Sequence, residues 1–196
     1  MTYTNPHRWL PGFRPADGDT ALRTLVTRYL YAYGPATPQH FARWLSISPR
    51  YAAGLFGQLA GELEQVELDG QPAWTATGDT GTPPRPYRGI RLLPYFDAYL
   101  VAGQPRERLY PGVAATRALT PSGQAGNYPV LLVDGVAGGV WHQRRSGHKL
   151  AITVEPLREL TAAQRRQLDD EAGLVGRVME ATATLTVGTV TAGPHA

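Results

Sequence analysis

Residues 36–52 read "ATPQHFARWLSISPRYA", and this stretch decides the fold. Two prolines stand eleven residues apart, Pro38 directly after Thr37 and Pro49 directly after Ser48. A hydroxyl residue followed by proline marks a helix start. The hydroxyl accepts a hydrogen bond from a free N–H of the first turn, and proline takes the first helical position, where its missing N–H costs nothing. One helix therefore begins at Pro38 and buries Phe41, Trp44 and Leu45 before it ends about two turns later. "SIS" turns the chain, and a further helix opens at Pro49 with Tyr51, Leu55, Phe56 and Leu59 as its apolar stripe, expected to reach Leu63. Two helices joined by so short a turn form a helix-turn-helix unit.

Upstream, Leu22, Leu25, Val26, Tyr29, Leu30 and Tyr33 recur at helical spacing over residues 20–33, with Asp19 as the expected N-cap and Gly34 as the stop. Residues 1–18 carry three prolines and read as an irregular arm. Downstream, Val66 and Leu68 alternate with polar residues, Asp69-Gly70 supplies a hairpin turn, and Ala73, Trp74 and Thr75 return. Helix, helix, turn, helix and hairpin make a winged helix over residues 19–77.

"TGDTGTPPRPYRG" marks a Pro/Gly/Arg linker over residues 78–89, and a second, winged-helix-like α+β domain is expected over 90–183. It opens on an apolar strand broken by Pro94. Three further strands, at 129–133, 136–143 and 149–155, are separated by the turn pairs Asp134-Gly135 and Ser146-Gly147, so they read as an antiparallel β-meander. A C-terminal helix starts after Thr161, which has capping-box spacing to Gln164. Residues 184–196 are small and polar and read as a flexible tail. The fold class is α+β, with tandem winged-helix motifs.

Composition narrows the chemistry. With no cysteine, disulfides, thiolate catalysis and cysteine-based zinc sites are excluded. His7, His40, His142, His148 and His195 have no metal-ligand spacing, and no phosphate loop, dinucleotide fingerprint or Gly-x-Ser-x-Gly elbow occurs, so neither a metal nor a cofactor is expected. Apolar runs are far shorter than the roughly 20 residues a membrane span needs, and the N-terminus lacks a signal-peptide core, which points to a cytoplasmic protein with no membrane partner. Nothing in the sequence pattern specifies an oligomeric state.

The formal charge is +3, and Lys149 is the only lysine among the cations. Arginine suits planar, bidentate contact with phosphate. "HQRRSGHK" gathers Arg144, Arg145, His148 and Lys149 around one turn, where they read either as a solvated tip or, in the preferred reading, as contacts to a nucleic-acid backbone. Arg85, Arg88 and Arg91 form a second basic group. In the helix-turn-helix, Arg50 and Tyr51 stand where a recognition helix would meet a groove. That helix carries no other basic residue and the adjacent wing is acidic, so a scaffold role is the stronger reading. Asp97 stands among aromatic residues, either as a proton-transfer group or, as its position favours, as a helix cap.

Three runs, "ALRTLVTRYLYAYGPATPQHFARWLSIS", "RLLPYFDAYLVAG" and "VLLVDGVAGGVWHQRRSGHKLAITVEPLREL", together resemble the winged-helix DNA glycosylase family that excises alkylated bases and unhooks interstrand crosslinks. The resemblance implies tandem winged helices around a positively charged DNA channel. It also implies catalysis by a Gln-apolar-Gln or Gln-apolar-Asp motif in a segment preceding the matched region, so this chain is expected to lack that segment and to carry no catalytic residue. Gln167-Leu168-Asp169 fits such a string but lies in the C-terminal helix, Gln65-Val66-Glu67 lies in the wing, and neither is carried over as catalytic, since short strings of this kind occur by chance. The expectation is a DNA-binding protein that contacts duplex or damaged DNA mainly through its backbone. Two alternatives stand beside it: a glycosylase acting on alkylated or crosslinked bases, with Asp97 or Gln167 positioning water, and a transcriptional regulator or interaction module docking through the acidic wing at 62–69.

Overall fold

The computed structural model describes residues 4–79, 81 and 85–195. Residues 1–3 of the expected arm, 80 and 82–84 of the expected linker, and 196 of the expected tail lie outside the described residues. The chain divides into two compact units, Met1–Gly81 and Thr82–Ala196.

In the first unit, α1 (Gly18–Tyr33), α2 (Pro38–Leu45) and α3 (Pro49–Gln58) precede a hairpin of β1 (Leu63–Leu68) and β2 (Gln71–Ala76). The α1 cap is Asp17 rather than Asp19: its carboxylate accepts the Thr20 N–H at 3.0 Å, which leaves Asp19 inside the first turn, where a negative charge suits the helix dipole. Thr37 and Ser48 cap α2 and α3 as the sequence indicates. His40 completes the α2 box by accepting the Thr37 N–H at 3.3 Å. Ser46 then takes a left-handed conformation and turns the chain toward Ser48. Helix α3 stops at Gln58, short of the expected Leu63, because Gly57 and Gly61 weaken its end and Leu63 is the inward-facing first residue of β1.

Tyr29, Phe41 and Phe56 are almost fully buried in this core, each contributing about 2–3 kcal/mol of burial. At the wing tip, Asp69 and Gly70 both have positive φ, which matches a two-residue turn to the strand twist. Ala36 exchanges two backbone hydrogen bonds of 2.9 Å with Trp74, adding a one-residue third strand. Three helices and a hairpin tied back to the first loop make a winged helix.

The second unit is built on five strands in the order β3-β4-β5-β6-β7. In chain order, β3 (Ile90–Leu93) is followed by the short helices α4 (Ala98–Ala102), α5 (Arg106–Leu109) and α6 (Val113–Ala118). Next come β4 (Val130–Val133), β5 (Val136–Ser146), β6 (Lys149–Pro156), α7 (Ala162–Val178) and β7 (Thr182–Val187). Alternation along the strands sends residues to both faces. Ile90, Leu131, Val133, Trp141, Leu150, Ile152 and Val154 pack with Leu168 and Ala172 of α7. Val130, Leu132, Ala137 and Val140 pack with Leu100, Ala114 and Ala118 of the short helices. The sheet is thus sandwiched between helices.

Two features differ from the sequence reading. Residues 184–187, read as part of a flexible tail, continue the sheet as β7, because Ala183 and Leu185 alternate with threonines and pack against the α7 side. And β7 pairs with β6 in parallel, so the antiparallel meander of β3 to β6 ends in a mixed sheet with α7 as the crossover.

Candidate nucleic-acid interface

The β5–β6 ribbon carries four exposed basic residues of the second unit around one turn. Residues 141–146 of β5 run on past Val140, the last of its partners on β4, while remaining paired to β6. Ser146 faces Lys149 across the tip, and only Gly147 and His148 lie between them, with Gly147 at φ 58. The tight turn fixes the register. Arg144 stands opposite Ala151 and Arg145 opposite Leu150, so the two guanidinium groups leave opposite faces of the ribbon.

Arg144, Arg145, His148 and Lys149 are all exposed. Arg145 donates from Nε to the Gly147 carbonyl at 3.0 Å, which stiffens the tip without neutralising the charge. Arg144, His148 and Lys149 make no side-chain hydrogen bond or ion pair among the described residues. On the Arg144 face lies a groove of about 320 Å³ whose walls include His142, Thr153, Thr189 and Thr191. The sequence reading missed these hydroxyls because the second wall comes from the segment taken for a tail. His142 was legible as the residue two before Arg144, hence on the same face.

A hydrogen-bond network ties down the far end of β5. Asp134, in the left-handed conformation of the β4–β5 turn, accepts the Gly89 N–H at 3.0 Å on one oxygen and both Arg158 and Gln164 at 3.1 Å on the other. The Gly89 bond, then the Arg158 hydrogen bond and the nearby Arg88 charge, hold this carboxyl below the ordinary aspartate range. Beneath the groove, Glu155 makes a two-pronged pair with Arg117, both bonds 3.0 Å, and accepts the Val190 N–H at 2.7 Å. The Arg117 bonds hold the Glu155 carboxyl below its ordinary range as well.

The other candidate cations are not gathered at the tip. Arg88 sits 3.9 Å from Asp134, at the opposite end of β5 from the tip, about 33 Å away at 3.3 Å per residue. Arg91 is engaged with Glu171 of α7 at 3.1 Å and with the Ile90 carbonyl at 2.8 Å. Arg85 is exposed in the connecting segment. In the first unit, Arg50 and Tyr51 are exposed on the first turn of α3, beside a groove that Asp19 and Gln58 also line. Glu64 and Glu67 on β1 are exposed, so the wing presents negative charge.

The candidate water-positioning groups have structural employment or stand alone. Asp97 caps α4 by accepting the Tyr99 N–H at 3.0 Å. Gln167 and Asp169 are exposed on α7, on either side of the buried Leu168. Gln65 and Glu67 lie along the wing strand. Among the described residues there is no cluster of three histidine or carboxylate groups able to hold a metal, and no helix long and apolar enough to cross a membrane.

Residues 1–178 match the family described as DNA glycosylase AlkZ-like. An interstrand DNA cross-link repair glycosylase of Streptomyces sahachiroi is 35% identical over 130 residues, covering 63% of this chain and 34% of that protein. Among solved structures, the Streptomyces sahachiroi DNA glycosylase AlkZ matches with a TM-score of 0.73 at 28% identity, over 94% of this chain and 51% of that one. The chain therefore spans about half the length of the solved relative and about a third of the other. The family match takes in well over half of the residues, and the chain belongs to the AlkZ-like DNA glycosylase family.

Proposed function

We propose that this chain binds DNA through the phosphate backbone, with the β5–β6 ribbon as its principal contact. The observation that carries the reading is the ribbon tip: Arg144, Arg145, His148 and Lys149 surround a two-residue turn beyond the reach of β4, and three of them have no protein partner among the described residues. Because β6 is also paired with β7 up to Lys149, the tip is the end of a wider sheet, and its exposed cations can follow a phosphate backbone across that end. The hydroxyls of Thr153, Thr189 and Thr191 offer neutral donors along the same face. Arg85, Arg88, Arg50 and Tyr51 are secondary contacts, and Arg91 acts through its bond to Glu171. The exposed Glu64 and Glu67 of the wing repel phosphate, so the wing is not among the proposed contacts.

The DNA is proposed to be damaged duplex, in keeping with the cross-link repair named for the Streptomyces sahachiroi relative. Neither Asp97 nor Gln167 is assigned a catalytic role, since Asp97 is committed to a cap and Gln167 faces solvent alone. The regulator reading draws no support from these relatives. Duplex affinity measured against salt tests the proposal: log K is expected to fall against log salt with a slope of about −3 to −4. Affinity indifferent to salt, or absent below millimolar protein, would remove it.

A further inference from the structure

Phe96 is the residue of the "RLLPYFDAYL" run that the fold leaves unused. Four of its neighbours have structural work: Leu93 accepts the Trp141 indole N–H, Asp97 caps α4, the Tyr99 hydroxyl donates to the Gly135 carbonyl, and Leu100 is buried. Phe96 is 59% exposed and enters neither apolar cluster. Its backbone has φ 55, a region costly for a bulky side chain. The ring lies over Gly126, where a Cβ would stand 2.7 Å from Phe96 Cδ1, so position 126 must be bare to let it lie there. A strained backbone and an obligatory glycine thus hold an aromatic ring out toward solvent.

A planar heterocycle occupies that ring's face. The His195 imidazole stacks on Phe96 at 5.4 Å between centroids and 19° between planes, and on Tyr95 at 5.8 Å and 27°. Its Nε2 lies 2.6 Å from Oδ1 of Asn127, whose side chain is buried. The Asn127 amide donates to the Gln124 carbonyl at 3.3 Å, which points Oδ1 at the niche. Two aromatic faces and one oriented acceptor therefore receive a flat, nitrogen-containing ring.

We propose that the niche of Tyr95, Phe96 and Asn127 is a nucleobase-binding site, and that His195 fills it here as an intramolecular stand-in for an unstacked base. Every base has a π-face for Phe96 and Tyr95, and an exocyclic amine or ring N–H can donate to Asn127 Oδ1 as an imidazole N–H does. The inference rests on the DNA-binding reading, because a strand held at the ribbon supplies the base. A base extruded from a duplex and a free nucleobase share this chemistry.

The test compares affinity for a duplex with one bulged adenine against the same duplex without it, in wild type, Phe96→Ala, Phe96→Trp and His195→Ala. His195→Ala removes the internal competitor and is expected to raise bulge preference about five-fold, Phe96→Ala to abolish the preference, and Phe96→Trp to retain it. A second arm titrates 2-aminopurine nucleoside onto His195→Ala and follows its fluorescence. Response there without bulge preference assigns the niche to free nucleobases. Equal bulge preference in all four proteins, with no response to the nucleoside, overturns the proposal. The unbulged duplex reports separately on the ribbon, so failure of the DNA-binding reading and failure of the niche are read from different arms.

Discussion

Trp141 on β5 donates its indole N–H to the carbonyl of Leu93 on β3, 2.9 Å away, reaching over the strand β4 that separates them. Tyr99 binds Gly135 at 2.8 Å, and Gly89 binds Asp134 at 3.0 Å. The two runs that mark the family in the second unit thus close on each other. Their polar groups tie the sheet to its turns.

Trp141→Phe keeps most of the buried ring but leaves the Leu93 carbonyl without its donor. The expected cost is about 1–3 kcal/mol. Urea denaturation monitored by far-UV circular dichroism checks it, and an unchanged midpoint would mean that this bond does not support the sheet.

Gly139 permits the close pairing of β5 with β6: a Cβ there would sit 2.4 Å from the Glu155 carbonyl oxygen and 3.1 Å from Leu131. Gly139→Ala is therefore expected to destabilise the second unit by about 2–3 kcal/mol through overpacking. Gly147→Ala, at the solvated tip, meets no atom within 4 Å and suffers only its positive φ, so it is expected to cost about 1 kcal/mol. Thermal melts of the two variants should rank in that order.

Acid should loosen the second unit through Asp134 and Glu155. Both carboxyls titrate below their ordinary range in the folded protein, so their stabilisation is complete above that range and fades as pH falls through the folded values. Asp134→Asn with Glu155→Gln is expected to flatten the dependence of stability on pH below about 4.5, while lowering stability at pH 7 by about 2–4 kcal/mol. Denaturant midpoints taken from pH 7 to pH 3 check this, and a double variant that keeps the wild-type slope would contradict the assignment.

Much of the architecture was legible because local chemistry and periodicity agree. Thr37-Pro38 and Ser48-Pro49 start helices where their capping bonds form, and Asp69-Gly70 and Asp134-Gly135 turn where strands reverse, while the third turn falls one residue later than expected, at Gly147-His148, because Ser146 still pairs with Lys149 as the last residue of β5. The β7 strand escaped notice because its pairing is parallel and arrives through α7: no turn signal sits beside Thr182, and only the alternation of Ala183 and Leu185 with threonine hints at it. The basic tip was legible as a charge cluster on one turn. Its groove was not, since Thr189 and Thr191 are brought to His142 by a fold-back with no local signature. Nor could the sequence distinguish Arg91, held by Glu171 eighty residues away, from Arg144, whose side chain has no partner among the described residues.

The most direct test of the ribbon as the DNA contact is the salt dependence of duplex affinity for Arg144→Ala/Arg145→Ala/Lys149→Ala beside wild type. Removing three exposed cations should reduce the slope of log K against log salt by about 2–3 and leave the thermal melt nearly unchanged. A triple variant that folds normally and binds duplex with the wild-type slope would place the phosphate contacts elsewhere and contradict the account.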